Sequence, residues 1–203
     1  MSTTPPDLNA LLGSRICHDL IGPIGAIGNG VELLLLAGSG RSDEVAMISE
    51  SVRTLTARLR FFRLAFGLSR PGQALSRAEV LAILADLFPS GRISVDWVSP
   101  PDLDRGEAKA VCLLLLCAER ALRAGGQIAV RGDEDGWSLV LTSPRLREDT
   151  ALWSLIAPAP ARATPAPGLE PAEVQFPLAA RALADLGRPA TIAMEPERIR
   201  ISF

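Results

Sequence analysis

Apolar residues recur at Leu8, Leu12, Ile16, Leu20, Ile24, Ile27, Val31 and Leu34, in unbroken steps of three and four. That is the period of an α-helix, and no strand can use it. After the breaker cluster Ala37-Gly38-Ser39-Gly40 the pattern resumes at Val45, Ile48, Val52, Leu55, Leu59, Phe62 and Phe66. Here threes and fours alternate, as in a heptad seam. Ser42 is placed to cap the second helix, with Asp43 and Glu44 in its first turn, where the helix dipole favours acids. At ~1.5 Å per residue each helix would reach about 35–45 Å. A lone hairpin cannot bury the whole of its seam. The spacing therefore predicts an antiparallel hairpin that pairs with a second copy, a homodimer closed as a four-helix bundle.

The rest of the chain changes character at Gly67–Gly72, a linker carrying Ser69, Arg70 and Pro71. Ser76-Arg77-Ala78-Glu79 has the form of a capping box and opens a helix to about Phe88. Arg92–Val98 alternates as a strand and is broken by Pro100-Pro101. Glu107–Ala124 reads as a mostly apolar helix ended by Gly125-Gly126. Gln127–Arg131 with Trp137–Thr142, and Thr191–Met194 with Arg198–Phe203, read as hairpins. Between them stand a Pro/Ala-rich stretch, Pro158–Pro171, expected to be mobile, and a helix over Pro171–Leu186. The fold class expected is α+β, with a helical-hairpin domain over residues 1–70 and an α/β sandwich over residues 71–203 whose helices layer on one face of a mixed sheet.

Composition narrows the function. Apolar residues are 48% of the 203 residues and charged residues 22%, enough for a sizeable core and against wholesale disorder. The net charge of −2 gives no footprint for a nucleic-acid partner. The longest uncharged runs, Leu20–Val31 and Thr150–Ala161, are too short to span a bilayer, and MSTTPPD is no signal peptide. No membrane association is expected, and the cytoplasm is the expected location. Cys17, Cys112 and Cys117 have no metal spacing, and His18 is the only histidine, so a histidine-rich metal site is excluded. No metal and no cofactor are expected. A Cys17–His18 nucleophile pair is disfavoured because adjacent helical residues do not face each other.

His18 is the residue that carries chemistry. At about 100° per residue it lies roughly 175° from the centre of the apolar seam, on the solvent side. Ser14, Gly22, Gly25 and Asn29 share its face, which is almost bare of side-chain bulk. Glycine costs up to ~1 kcal/mol in a helix interior. A smooth patch that lets another protein reach an imidazole accounts for Gly22 and Gly25. Antiparallel pairing sets His18 level with the neighbourhood of Phe62, where Arg58, Arg60 and Arg63 lie off the seam, and Arg15 is one turn before it. Two readings of these arginines stand: a phosphate environment, or a solvated basic face. Phe61, Leu64 and Leu68 form an apolar stripe opposite the seam that either grips a partner or, as favoured here, packs on the second domain.

Residues 18–24 read His-Asp-Leu-Ile-Gly-Pro-Ile, and the seam runs through Pro23 without losing phase. An H-[D/E]-L-x-x-P-[L/I] string on the first helix of a heptad hairpin resembles the H-box of histidine kinases. The wider context over residues 11–35 is most similar to alphaproteobacterial ChpT-type histidine phosphotransferases, and the later elements match by their order. The resemblance implies that His18 is the phosphoacceptor, that Asp19 assists transfer or shapes the partner contact, and that Leu20 and Pro23 are structural parts of the motif. It also implies a relay: a receiver domain of a CckA-like hybrid histidine kinase as donor, and CtrA-like and CpdR-like response regulators as acceptors in cell-cycle signalling. Mg²⁺ would arrive with the receiver. A contrasting class is a non-catalytic dimeric adaptor that sequesters receivers.

The same resemblance raises the question of ATP. The kinase fold needs asparagines on the second domain's central helix, an Asp-x-Gly-x-Gly segment and a glycine-rich lid. No asparagine follows Asn29, and the central helix reads Val111-Cys112-Leu113-Leu114-Leu115-Leu116-Cys117, without hard oxygen ligands for Mg²⁺. Thr142-Ser143-Pro144-Arg145 stands where adenine would be read. A degenerate ATPase-like domain without nucleotide binding is expected.

Overall fold

The structure is a computed structural model in which residues 7–37, 42–89, 91–157 and 168–203 are described. Helices α1 (Leu8–Ala37) and α2 (Ser42–Ala65) form the hairpin. The second part runs β1 (Ala74–Ser76), α3 (Arg77–Leu87), β2 (Ile93–Val98), β3 (Asp102–Asp104), α4 (Arg105–Ala121), β4 (Gly126–Gly132) and β5 (Trp137–Thr142). It continues with α5 (Thr150–Ser154), a 3-10 turn at Pro171–Glu173, α6 (Gln175–Asp185), β6 (Thr191–Glu195) and β7 (Arg198–Ser202). The α+β class and the major elements agree with the sequence. The segment from residue 158 to 167, expected to be mobile, lies outside the described residues.

A five-stranded sheet in the order β2-β4-β5-β7-β6 is parallel only between β2 and β4. Its register stacks Ile128 on Leu141 and Val130 on Leu139, then Leu139 on Ile201 and Leu141 on Ile199. All six side chains are buried, so one sheet face is the core face. From Ala110 to Ala118 helix α4 is apolar on all sides, and every residue of that stretch is buried. A helix of that kind must be enclosed. It packs against α2 and α6, and shares one continuous core with the sheet.

That core does not stop at the expected linker. Phe61, Phe62, Leu64 and Ala65 of α2 belong to it. The stripe opposite the seam is thereby divided: Phe61 and Leu64 pack on the second domain, whereas Leu68 is 86% exposed. Two cations, Arg105 buried and Lys109 half-buried, secure the joint. Arg105 Nη2 donates to the Arg63 carbonyl (2.8 Å) and Lys109 Nζ to the Gly67 carbonyl (3.0 Å), at the C-terminal end of α2 where the helix dipole favours positive charge. Burial lowers the pKa of both groups.

Within the hairpin, Gly30 fixes the register. A Cβ there would stand 2.5 Å from Ile48 Cγ1, so the glycine permits close helix approach. The hairpin seam remains half open: Ile24, Val31, Val45, Val52 and Leu59 are 43–54% exposed. Helix α1 is also longer as an apolar element than its uncharged runs suggest. Leu8–Leu36, 29 residues with mean hydropathy 1.4, is long and apolar enough to cross a membrane by length and composition. Its Leu8, Leu11, Ile16 and Leu20 pack, partly buried, against the protein core.

Three short elements escape the sequence pattern. β1 and β3 are three residues each and pair with one another antiparallel, Leu75 opposite Leu103. α5 has five residues and is capped by Asp149. None is long enough to show a period.

Candidate functional site

His18 stands on α1 with its side chain 86% exposed. Its Nδ1 lies 3.3 Å from Asp19 Oδ1, so the two side chains bridge the 100° between successive helical positions. Asp19 is held in turn: its Oδ2 accepts from Arg15 Nε at 2.9 Å. Arg15 Nη1 donates to the Ala172 carbonyl at 3.1 Å, anchoring the series to the 3-10 turn of the second domain. Arg15 and Asp19 are only 14% and 13% exposed. A carboxylate at Nδ1 selects the tautomer with its proton there and leaves Nε2 with its lone pair toward solvent. Pro23 contributes from four residues on. It lacks an N–H, so the Asp19 carbonyl has no helical donor at the point where the histidine is presented.

His18 opens on a cleft of about 680 Å³ between α1 and the second domain. Ser14, Arg15 and Asp19 line the α1 side, and Glu119 and Arg120 line it from α4. Arg92, Arg123 and the segment Glu170–Ala172 complete the wall. Several of these charges are already matched. Glu119 pairs with Arg58 at 3.3 Å, and Arg120 pairs with Glu173.

The positions singled out in the sequence are thus distributed unevenly. Ser14, Arg15, His18 and Asp19 come together at the cleft. Leu20 is half-buried against the core. Gly22 and Gly25 are exposed, and a Cβ at either meets nothing within 4 Å. Asn29 is exposed further along the helix. Arg60 and Arg63 do not line the cleft. Arg63 faces Glu79 of α3 at 3.9 Å, and Arg60 points to no partner among the described residues. Apart from Arg15, the cations that line the cleft come from the second domain instead. Nothing in the local sequence of Arg92 or Arg123 relates them to residue 18.

Comparison with known proteins decides the family. A family model, the histidine phosphotransferase C-terminal domain, matches residues 77–198. The chain belongs to this family. Protein phosphotransferase ChpT of Brucella abortus (strain 2308) is 38% identical over 127 residues. That match takes in 62% of this chain and spans 60% of the length of the curated relative. A solved bacterial phosphotransferase superposes with a TM-score of 0.75 at 28% identity, over 100% of this chain and 98% of the other. The likeness of this histidine phosphotransferase family member to that structure therefore includes the hairpin as well as the domain the family model covers.

The three thiols do not line the cleft. Burial pushes the Cys112 thiol up to about 12 and the Cys117 thiol well above its ordinary value, while Cys17 is exposed. Thiolate is the reactive form. At pH 8 a disulfide reagent is expected to titrate Cys17 at once and the other two only after unfolding; prompt reaction of all three in the native protein would contradict their burial.

Proposed function

We propose that this protein is a histidine phosphotransferase that relays a phosphoryl group from a receiver-domain aspartyl phosphate, through His18, to an aspartate of a second receiver. The observation that carries the reading is an exposed imidazole with Nδ1 on a held carboxylate, at the mouth of a two-sided cleft. In the first transfer the Nε2 lone pair forms the P–N bond as the P–O bond to the donor aspartate breaks, and that aspartate leaves as a carboxylate. The Nδ1 proton stays on the ring, which becomes an imidazolium that Asp19 can stabilise. The second transfer reverses these roles with a new aspartate. Mg²⁺ arrives with the receiver, as positioning and charge stabilisation dominate such steps.

The half-exposed seam supports a homodimer, since a second hairpin would bury it in a four-helix bundle. By resemblance the donor is a CckA-like hybrid kinase and the acceptors are CtrA-like and CpdR-like regulators in the cytoplasm. Incubation with a ³²P-labelled receiver is expected to yield acid-labile, base-stable label on this chain. Binding of the receiver without label would instead support the adaptor reading.

The second domain is read as binding no nucleotide, because its central helix offers alkyl and thiol groups where a phosphate-bound Mg²⁺ would need oxygen. Calorimetry with ATP and Mg²⁺ is expected to show no heat of binding at micromolar to submillimolar ligand. A micromolar dissociation constant, or label from γ-³²P-ATP, would reverse this.

A further inference from the structure

Two guanidinium groups of the second domain line the cleft that His18 opens on, and neither has a partner of its own. Arg92 precedes β2 and Arg123 follows α4. The parallel pairing of β2 with β4 puts Ile93 opposite Gly126, and Gly126 N–H donates to the Arg92 carbonyl at 2.9 Å. Arg92 is thereby held against the turn that carries Arg123. The turn is shaped for this approach: Gly125 has φ +100°, and a Cβ there would lie 2.9 Å from Arg92 Cγ.

The cleft's other cations are committed. Arg15 bonds Asp19 and Ala172, and Arg120 bonds Glu173. Of the carboxylates in the wall, Asp19 is taken by Arg15 and Glu119 by Arg58, which leaves Glu170. Arg92 and Arg123 are exposed, and their side chains make no hydrogen bond or ion pair among the described residues. Two like charges brought to one wall, where Glu170 is the one carboxylate not held by an arginine, repel each other, so the arrangement favours an anion between them. A phosphoryl group brings nearly two negative charges and three acceptor oxygens, which guanidinium forks match in shape.

We propose that Arg92 and Arg123 are a phosphate clamp, holding the phosphoryl group on His18 and stabilising its oxygens while it moves between His18 and either receiver. The clamp rests on the phosphotransfer reading above. Because it grips the group being moved and not the receiver, it acts whichever donor brings that group. Each hairpin histidine is then served by the second domain of its own chain.

The test compares the wild-type protein with Arg92→Gln, Arg123→Gln, the double Gln variant and the double Lys variant. Phosphoramidate and a phosphorylated receiver serve as donors, and label on His18 is read over time. The double Gln variant is expected to accept from both donors at least tenfold more slowly and to lose its label faster once the donor is removed. The double Lys variant should recover part of the rate, since charge without the fork suffices for some of the effect. The single variants carry the test if the double fails to fold, each being slowed severalfold. Wild-type acceptance from phosphoramidate by the Gln variants would overturn the clamp, even with slowed transfer from the receiver, because the arginines would then attract the receiver only. A wild-type protein that takes label from neither donor would instead sink the phosphotransfer reading itself.

Discussion

His18→Ala is expected to abolish phosphoryl acceptance from every donor while leaving the fold intact. The chain has no other histidine; of its thiols, Cys112 and Cys117 are buried with raised pKa values, which leaves Cys17 as the one exposed thiol. The side chain is 86% exposed and, among the described residues, makes a polar contact only with Asp19. Alanine is the stronger helix former, by about 0.5 kcal/mol. A melting temperature equal to or slightly above that of the wild type is therefore expected, together with complete loss of acid-labile label. Residual label of that kind on the variant would remove His18 from the mechanism.

Gly25→Leu is expected to separate docking from chemistry. Gly25 lies two turns beyond His18 on an exposed stretch, and a Cβ there meets nothing within 4 Å. Leucine is favoured over glycine in a helix by roughly 0.5–1 kcal/mol, so the variant should be as stable as the wild type or more so. Its side chain would stand where a receiver must approach to bring its aspartyl phosphate into line. Acceptance from a receiver should fall at least tenfold, with phosphoramidate, which needs no landing surface, labelling His18 about as well as before. Early melting, or loss of the dimer, would show that this glycine serves close packing between helices, as Gly30 does against Ile48. The contrast with the clamp variants is diagnostic, because bulk at Gly25 spares the small donor and loss of the arginines does not.

The two glycines show how far local sequence reaches. Gly25 and Gly30 have the same composition signal, an expensive residue inside a helix. Only Gly30 proves to be a packing device, because its Cβ position is filled by a residue of the other helix. Residues 18–24 were legible for a different reason. The seam phase alone puts His18 on the solvent side, and Asp19 and Arg15 are near it at helical spacing, so covalent order and helix geometry suffice. The axial level of the α2 arginines could be anticipated in the same way. Their azimuth could not, since α2 turns that side to the second domain: Arg58 goes to Glu119 and Arg63 to Glu79.

What the sequence determined by itself is therefore what has a period or a local cap: both long helices, the α3 start at Ser76, the strand alternation and the presentation of His18. The pairing of β1 with β3 is too short for a pattern and depends on residues nearly thirty positions apart. The charged wall of the cleft belongs to the same class. Arg92, Arg120 and Arg123 line one cleft with His18 only because α4 is enclosed between the sheet and α2, and because Arg15 ties α1 to the Ala172 carbonyl. These contacts join residues more than seventy positions apart in the chain, where no spacing rule operates. Burial of apolar surface around α4 decides them, and with them the company that the histidine keeps.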